Sequence, residues 1–147
     1  MAAVRTATVT WSGDLASGAG TVTAGSSGLF TDLPVSWAAR TEAPEGKTSP
    51  EELLAAAHAS CFAMAFSARL AKRGSPPDDL HVEAEVTFDK VEDAWKVVSS
   101  RLIVVGSAPG CPDDDFTRLA EDAKENCPIS AALRGNVELS VEATLEE

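Results

Sequence analysis

The first third of the chain alternates between apolar and polar positions in the way that is typical of β-strands. Residues 5–11 alternate and are rich in threonine and valine, residues 20–24 repeat that composition, and residues 33–39 are a third candidate. Turns rich in glycine and serine separate the first segments. The pattern predicts a small antiparallel meander of three strands.

A long uncharged segment, residues 53–68, predicts a helix. Ser49 is a suitable N-cap, Pro50 suits the first helical position, and Glu52 completes a Ser-x-x-Glu capping box. Gly74 provides the C-terminal stop. Because the segment is apolar or small on every face, we expect burial all round, with a second subunit covering the side that the sheet leaves open. It is shorter than the roughly 20 residues that a bilayer requires, which favours a core helix.

The second half of the chain predicts two more strands, two helices and a last strand. These elements are expected at residues 80–88 and 95–105, joined by a turn at 89–93, then at 116–126, 128–133 and 136–145. Three aspartates precede the first of these helices, where the macrodipole favours negative charge. The order β-β-β-α-β-β-α-α-β predicts an α+β fold, and a length of 147 residues fits one domain spanning 1–147.

The charge balance excludes several classes of partner. The chain carries 12 Lys+Arg against 23 Asp+Glu, a net charge of -11, which repels nucleic acid and anionic lipid surfaces. The N-terminus lacks the apolar region of a signal peptide, so we expect a cytoplasmic protein. The three cysteines and two histidines have no zinc-site spacing, and we expect no metal or other cofactor.

Two cysteines occupy ordered positions and suggest redox chemistry. Cys61 lies within the long helix, and Cys127 opens a Cys-Pro-Ile-Ser turn before the next one. In a reducing compartment such thiols stay free. Burial raises a thiol pKa, whereas the thiolate is the nucleophile, so a reactive Cys61 requires a nearby cation. Arg40, expected at the end of the third strand, is the candidate, and Glu51 could orient it through a bidentate pair.

Glu51, Cys61 and Cys127 lie within two segments that resemble motifs of a known family. Residues 48–65, Thr-Ser-Pro-Glu-Glu-Leu-Leu-Ala-Ala-Ala-His-Ala-Ser-Cys-Phe-Ala-Met-Ala, closely resemble the central helix of the OsmC/Ohr family of osmotically induced and organic-hydroperoxide-resistance proteins. Residues 126–130, Asn-Cys-Pro-Ile-Ser, resemble its second-cysteine motif. The form His58-Ala-x-Cys61-Phe-x-Met64 is more similar to the OsmC branch than to the Ohr branch, and Arg40 matches the arginine position of that branch.

The resemblance implies a thiol-dependent peroxidase for organic hydroperoxides. Cys61 would be the peroxidatic cysteine and Cys127 the resolving cysteine, joined in a disulfide that an external dithiol reduces. Arg40 would hold the thiolate and the peroxide, and Glu51 would anchor Arg40. The implied fold has antiparallel sheets around long central helices in an intertwined homodimer. Cys111 matches no motif of the family and is interpreted as a spare thiol.

Several assignments have alternatives. Phe62, Met64 and Phe66 are candidates for an apolar substrate pocket, or for the core. His58 is interpreted as a packed polar residue, and a buried cysteine such as Cys61 is otherwise a small hydrophobe. The alternative to an enzyme is a non-catalytic redox sensor or apolar-ligand-binding stress protein, and a purely structural protein comes third.

Overall fold

The computed structural model describes residues 1–146, and the chain divides into two compact units, Met1–Leu53 and the residues from Leu54 onward. The expectation of one domain over 1–147 stays a prediction. The predicted α+β composition is confirmed, with two three-stranded sheets and four helices among the described residues.

The first unit contains an antiparallel sheet in the order β1 (Ala7–Ser12), β2 (Ala19–Ala24) and β3 (Leu33–Val35). The predicted meander is confirmed, but the third strand is shorter than expected. Ser36 ends it because its hydroxyl oxygen accepts a hydrogen bond from the backbone N–H of Ala39 at 3.1 Å and caps a short helix, α1 (Trp37–Thr41). The placement of Arg40 at a strand end was therefore wrong, since Arg40 lies on α1.

Helix α2 (Pro50–Arg73) begins and ends where the sequence predicts. The Ser49 hydroxyl oxygen accepts from the backbone N–H of Glu52 at 3.1 Å. The Glu52 carboxylate accepts from the Thr48 hydroxyl at 2.6 Å, a contact that the capping-box pattern does not include. At the C-terminus Gly74 has a φ of 97°, and Ser75 N–H donates to the Leu70 carbonyl at 2.9 Å, which is a Schellman motif.

Burial of α2 within one chain is confined to one face. Phe62, Phe66 and Leu70 are fully buried, whereas Ser60 is exposed and Met64 is 73% exposed. Residues four apart share a helix face, so the two sets lie on different sides. The expectation of burial on every face is therefore not met by the chain alone. By length and composition α2 is long and apolar enough to cross a membrane, as core helices of globular proteins also are.

The second unit contains a mixed sheet in the order β4 (Asp79–Val91), β5 (Ala94–Ser107) and β6 (Glu138–Leu145). β4 and β5 form a hairpin around Glu92 and Asp93, whose φ angles of 51° and 66° indicate a two-residue type I′ turn. β6 pairs with β5 in parallel, so the expectation of antiparallel sheets was wrong for this one pair of strands. The two helices between them, α3 (Asp113–Asn126) and α4 (Pro128–Leu133), supply the crossover that a parallel pair requires.

The core of the second unit lies between α2, α3 and this sheet. The Phe66 ring lies 5.5 Å from the Phe62 ring and 4.8 Å from the Phe116 ring, measured between centroids. Leu102 and Val104 of β5 are fully buried in the same cluster. This packing fixes the face of α2 that carries Cys61 and His58.

Candidate active site

Arg40 and Glu51 form a bidentate ion pair in the first unit. Arg40 Nε donates to Glu51 Oε1 and Arg40 Nη2 to Glu51 Oε2, both at 2.9 Å. The Glu51 side chain is 10% exposed and the Arg40 side chain 30% exposed. The guanidinium also lies over the Trp37 ring, 5.9 Å from its centroid. The structure therefore brings together the predicted cation and its predicted anchor, and it holds the guanidinium in one orientation.

An apolar cavity of about 360 Å³ lies beside this arginine within the first unit. Arg40 provides its charged wall, whereas the rest of the lining is almost entirely aliphatic and aromatic. The lining residues are Val9, Trp11, Leu15, Val22, Val35, Ser36, Trp37, Arg40, Pro50 and Leu53. An organic group next to a polar, peroxide-like head would match this combination of surfaces.

The second unit holds the two predicted catalytic thiols. Cys61 lies partly buried on α2, and Cys127 lies fully buried between α3 and α4. Burial is the main cause that raises the pKa of Cys61, and the neighbouring Cys127 thiol raises it further. The backbone N–H of Ile129 acts in the opposite direction. The two sulfurs are thus close enough to interact, although 66 residues of sequence separate them.

Cys127 caps the N-terminus of α4. Its backbone is extended, with φ −67° and ψ 141°, and its sulfur accepts a hydrogen bond from the backbone N–H of Ser130 at 3.4 Å. Pro128 at the first helical position has no N–H to satisfy. The Cys-Pro-Ile-Ser sequence therefore folds so that the thiol faces the first turn of its own helix.

His58 is the functional candidate that sequence reasoning placed in the background. It is fully buried on α2, with Nδ1 2.6 Å from the Ser100 hydroxyl oxygen and Nε2 2.8 Å from the Ser130 hydroxyl oxygen. The Ser130 hydroxyl oxygen lies 3.1 Å from the Cys127 sulfur. Burial lowers the pKa of His58, which favours the neutral imidazole. In the sequence, the only indication of this contact was Ser130 at the end of the Cys-Pro-Ile-Ser motif.

The three predicted pocket residues do not share one surface within the chain. Phe62 and Phe66 are buried in the core of the second unit, while Met64 projects from another side of α2. Their pocket role stays a prediction, and the cavity described above is lined by other residues. Cys111 is buried in the core cluster, and burial raises its pKa. Within residues 1–146, no group of three or more His, Cys, Asp or Glu side chains is arranged to hold a metal ion.

Comparison with known proteins relates this chain to peroxide-resistance proteins. The family model described as OsmC-like protein matches residues 43–142. Peroxiredoxin OsmC of Escherichia coli K12 is 36% identical over 129 residues, which cover 88% of this chain and 89% of that protein. The organic hydroperoxide resistance protein of Xanthomonas axonopodis pv. citri is 30% identical over 64% of this chain and 65% of that protein. The crystal structure of the organic hydroperoxide resistance protein OhrB of Bacillus subtilis is similar with a TM-score of 0.69 and 28% identity, covering 95% of this chain and 98% of that one.

Proposed function

Because the chain belongs to the OsmC-like protein family, we propose that it is a thiol-dependent peroxidase that reduces organic hydroperoxides, and hydrogen peroxide more weakly, in oxidative or osmotic stress. The resemblance to the OsmC/Ohr family is confirmed, and the higher identity to the OsmC relative supports the OsmC branch. The observation that carries the proposal is the interaction of the Cys61 and Cys127 thiols at the junction of α2 and α4.

The first chemical step consumes the peroxide. The Cys61 thiolate attacks the distal oxygen of ROOH, the O–O bond breaks, and the sulfur becomes a sulfenic acid. The alkoxide that leaves takes a proton to become ROH. Because burial raises the pKa of Cys61, the thiolate has to be stabilised when the substrate binds.

Arg40 is proposed to stabilise that thiolate and to bind the peroxide, and Glu51 to hold Arg40 in position. The support is the bidentate geometry, since two parallel hydrogen bonds fix the plane of the guanidinium. Lysine could not reproduce this fork. The two residues therefore act as one unit, and removal of either should impair the first step.

The second step resolves the sulfenic acid. Cys127 attacks the Cys61 sulfur, a disulfide forms and water leaves. An external dithiol then reduces the disulfide, so that no bound cofactor is required. A reducing compartment such as the cytoplasm would supply that dithiol, and the described cysteines are all free.

The apolar cavity beside Arg40 is proposed to bind the organic part of the substrate. Each buried methylene contributes about 0.8 kcal/mol, and hydrogen peroxide has none to bury. A four-carbon group could gain up to about 3 kcal/mol, a factor of roughly 100 in kcat/KM. We therefore expect cumene or tert-butyl hydroperoxide to be used better than hydrogen peroxide, and Trp11→Ala to reduce the preference.

An obligate homodimer is proposed because one face of α2 is not covered by any part of the described residues 1–146. Met64 is 73% exposed there, next to small residues, and a second copy could bury this face. Light scattering measures the oligomeric state, and a functional monomer would contradict the proposal.

One experiment tests the function. The reduced protein is treated with one equivalent of cumene hydroperoxide and examined by intact mass spectrometry and peptide mapping, and peroxide loss is then followed over many turnovers with a dithiol. A Cys61–Cys127 disulfide and multiple turnovers are expected. Stoichiometric oxidation without turnover would favour the redox-sensor alternative, and no oxidation at all would refute thiol chemistry.

A further inference from the structure

A continuous hydrogen-bonded chain leads from the resolving cysteine to a buried histidine. Cys127 Sγ lies 3.1 Å from Ser130 Oγ, Ser130 Oγ lies 2.8 Å from His58 Nε2, and His58 Nδ1 lies 2.6 Å from Ser100 Oγ. All four side chains are buried. These hydrogen bonds connect α4, α2 and β5 within the second unit. The series ends at the Cys127 sulfur, which has to lose a proton before a disulfide can form.

The donors and acceptors in this series of hydrogen bonds are consistent with one set of proton positions. The Cys127 S–H can donate to Ser130 Oγ, the Ser130 O–H can donate to His58 Nε2, and His58 Nδ1–H can donate to Ser100 Oγ. After a proton moves along it, the first two bonds reverse. His58 Nε2–H then donates to Ser130, and the Ser130 hydroxyl and backbone N–H both donate to the Cys127 thiolate.

We propose that His58, acting through the Ser130 hydroxyl, is the base that takes the proton of Cys127 during disulfide formation. The inference rests on the proposed function, because it requires a sulfenic acid at Cys61. His58 contacts neither sulfur in this chain of bonds, so it is a positioning and proton-holding residue, whereas Ser130 contacts the reacting thiol.

The step balances without a further reactant. The Cys127 proton passes to Ser130 while the Ser130 proton passes to His58 Nε2. The Cys127 thiolate then attacks the Cys61 sulfur, the S–O bond breaks, and the hydroxide that leaves takes up a proton to form water. Since His58 returns to neutral by releasing one proton, the net change is Cys61–SOH plus Cys127–SH to disulfide plus water.

The surroundings of His58 suit a neutral base. Ser100 from β5 and Ser130 from α4 face its ring. The titratable groups at the far end of the hydrogen-bonded series are Cys127 and Cys61. Burial alone lowers the pKa of His58, and no charged side chain among residues 1–146 contributes to that shift. The imidazole therefore stays neutral and able to accept a proton at neutral pH.

The test separates the two chemical steps in single-turnover rapid-quench experiments from about pH 6 to 9. Reduced wild type, Ser130→Ala and His58→Gln are mixed with cumene hydroperoxide, and mass spectrometry counts the sulfenic acid and the disulfide at each time. Ser140→Ala is the matched control, because this serine is exposed on β6. Circular dichroism and thermal unfolding establish that each variant is folded.

We expect sulfenic acid to form in both variants within about twofold of the wild-type rate. Disulfide formation at pH 7 should be at least about tenfold slower in Ser130→Ala, because general-base catalysis contributes about 10²–10⁴-fold. Its rate should then rise with pH, as hydroxide replaces the lost base, while the wild-type rate stays flat above the pKa of His58. If His58→Gln does not fold, Ser130→Ala decides alone, since it keeps the histidine in place.

The possible failures are distinguishable. If wild type forms no sulfenic acid, the proposed function fails, and the base role fails with it. If wild type reacts normally but Ser130→Ala forms the disulfide at the wild-type rate, the base role alone is refuted. A slower rate with the flat wild-type pH profile would also refute it, because it would indicate a structural role for the serine.

Discussion

The Arg40–Glu51 pair allows a quantitative test, because Glu51→Gln preserves the side-chain shape while it removes the charge and one acceptor. Of the two charge-assisted hydrogen bonds of 2.9 Å, the substitution removes the acceptor of one and the negative charge that strengthens the other. Breaking a fully buried pair costs about 3–5 kcal/mol. Since the Arg40 side chain is 30% exposed and regains part of its hydration, we expect the free energy of unfolding to fall by about 2 kcal/mol.

An exposed pair in the same chain provides the matched control. Arg101 donates to Glu85 at 2.6 Å, with side chains 46% and 52% exposed, and it also binds Glu142. Because water and Glu142 compensate for the lost charge, Glu85→Gln should lower the free energy of unfolding by less than about 0.5 kcal/mol. Urea unfolding measures both variants, and steady-state assays with cumene hydroperoxide and a dithiol measure kcat/KM.

The kinetic expectation is a loss of at least about tenfold in kcat/KM for Glu51→Gln and no change for Glu85→Gln, since a 1.4 kcal/mol loss of transition-state binding is a factor of about ten. Equal, small losses of stability in both variants would refute the argument from burial. A large loss of stability with wild-type kcat/KM would show that the pair is structural and would refute its role in the reaction.

Three further predictions concern the thiols, the pH dependence and the core. Cys61→Ser should abolish peroxide reduction, Cys127→Ser should react once and hold a sulfenic acid that dimedone traps, and Cys111→Ala should keep wild-type turnover; a mapped Cys61–Cys111 disulfide would contradict this. Because burial raises the pKa of Cys61, sulfenic acid formation should accelerate as pH rises from about 6 to 9. Arg40→Ala should shift this acceleration to higher pH, and superimposable stopped-flow pH profiles of the variant and wild type would exclude a role of Arg40 in stabilising the thiolate. Phe66→Ala should lower the free energy of unfolding by about 3–5 kcal/mol, and a loss below about 1 kcal/mol in urea would be inconsistent with its complete burial.

Residues that are close together in the sequence predict the bounds of α2, the strand hairpins and the family of this protein. Ser49, Pro50 and Gly74 predict the bounds of α2, because capping depends on residues within one turn of the helix end. The alternation of apolar and polar residues predicts the meander and the β4–β5 hairpin, because this alternation also depends only on residues that are close in sequence. The two cysteine motifs predict the family, since their residues and separation along the chain are specific.

Tertiary structure alone decides which side chains meet. His58 reaches Ser100 and Ser130, which lie 42 and 72 residues away, and only the packing of α2 against β5 and α4 brings them together. The same packing buries Phe62 and Phe66 and leaves Met64 outside, although residues 53–68 are apolar or small on every side. A helix without a polar face does not encode which side is buried, because its orientation depends on the volume and shape of its neighbours.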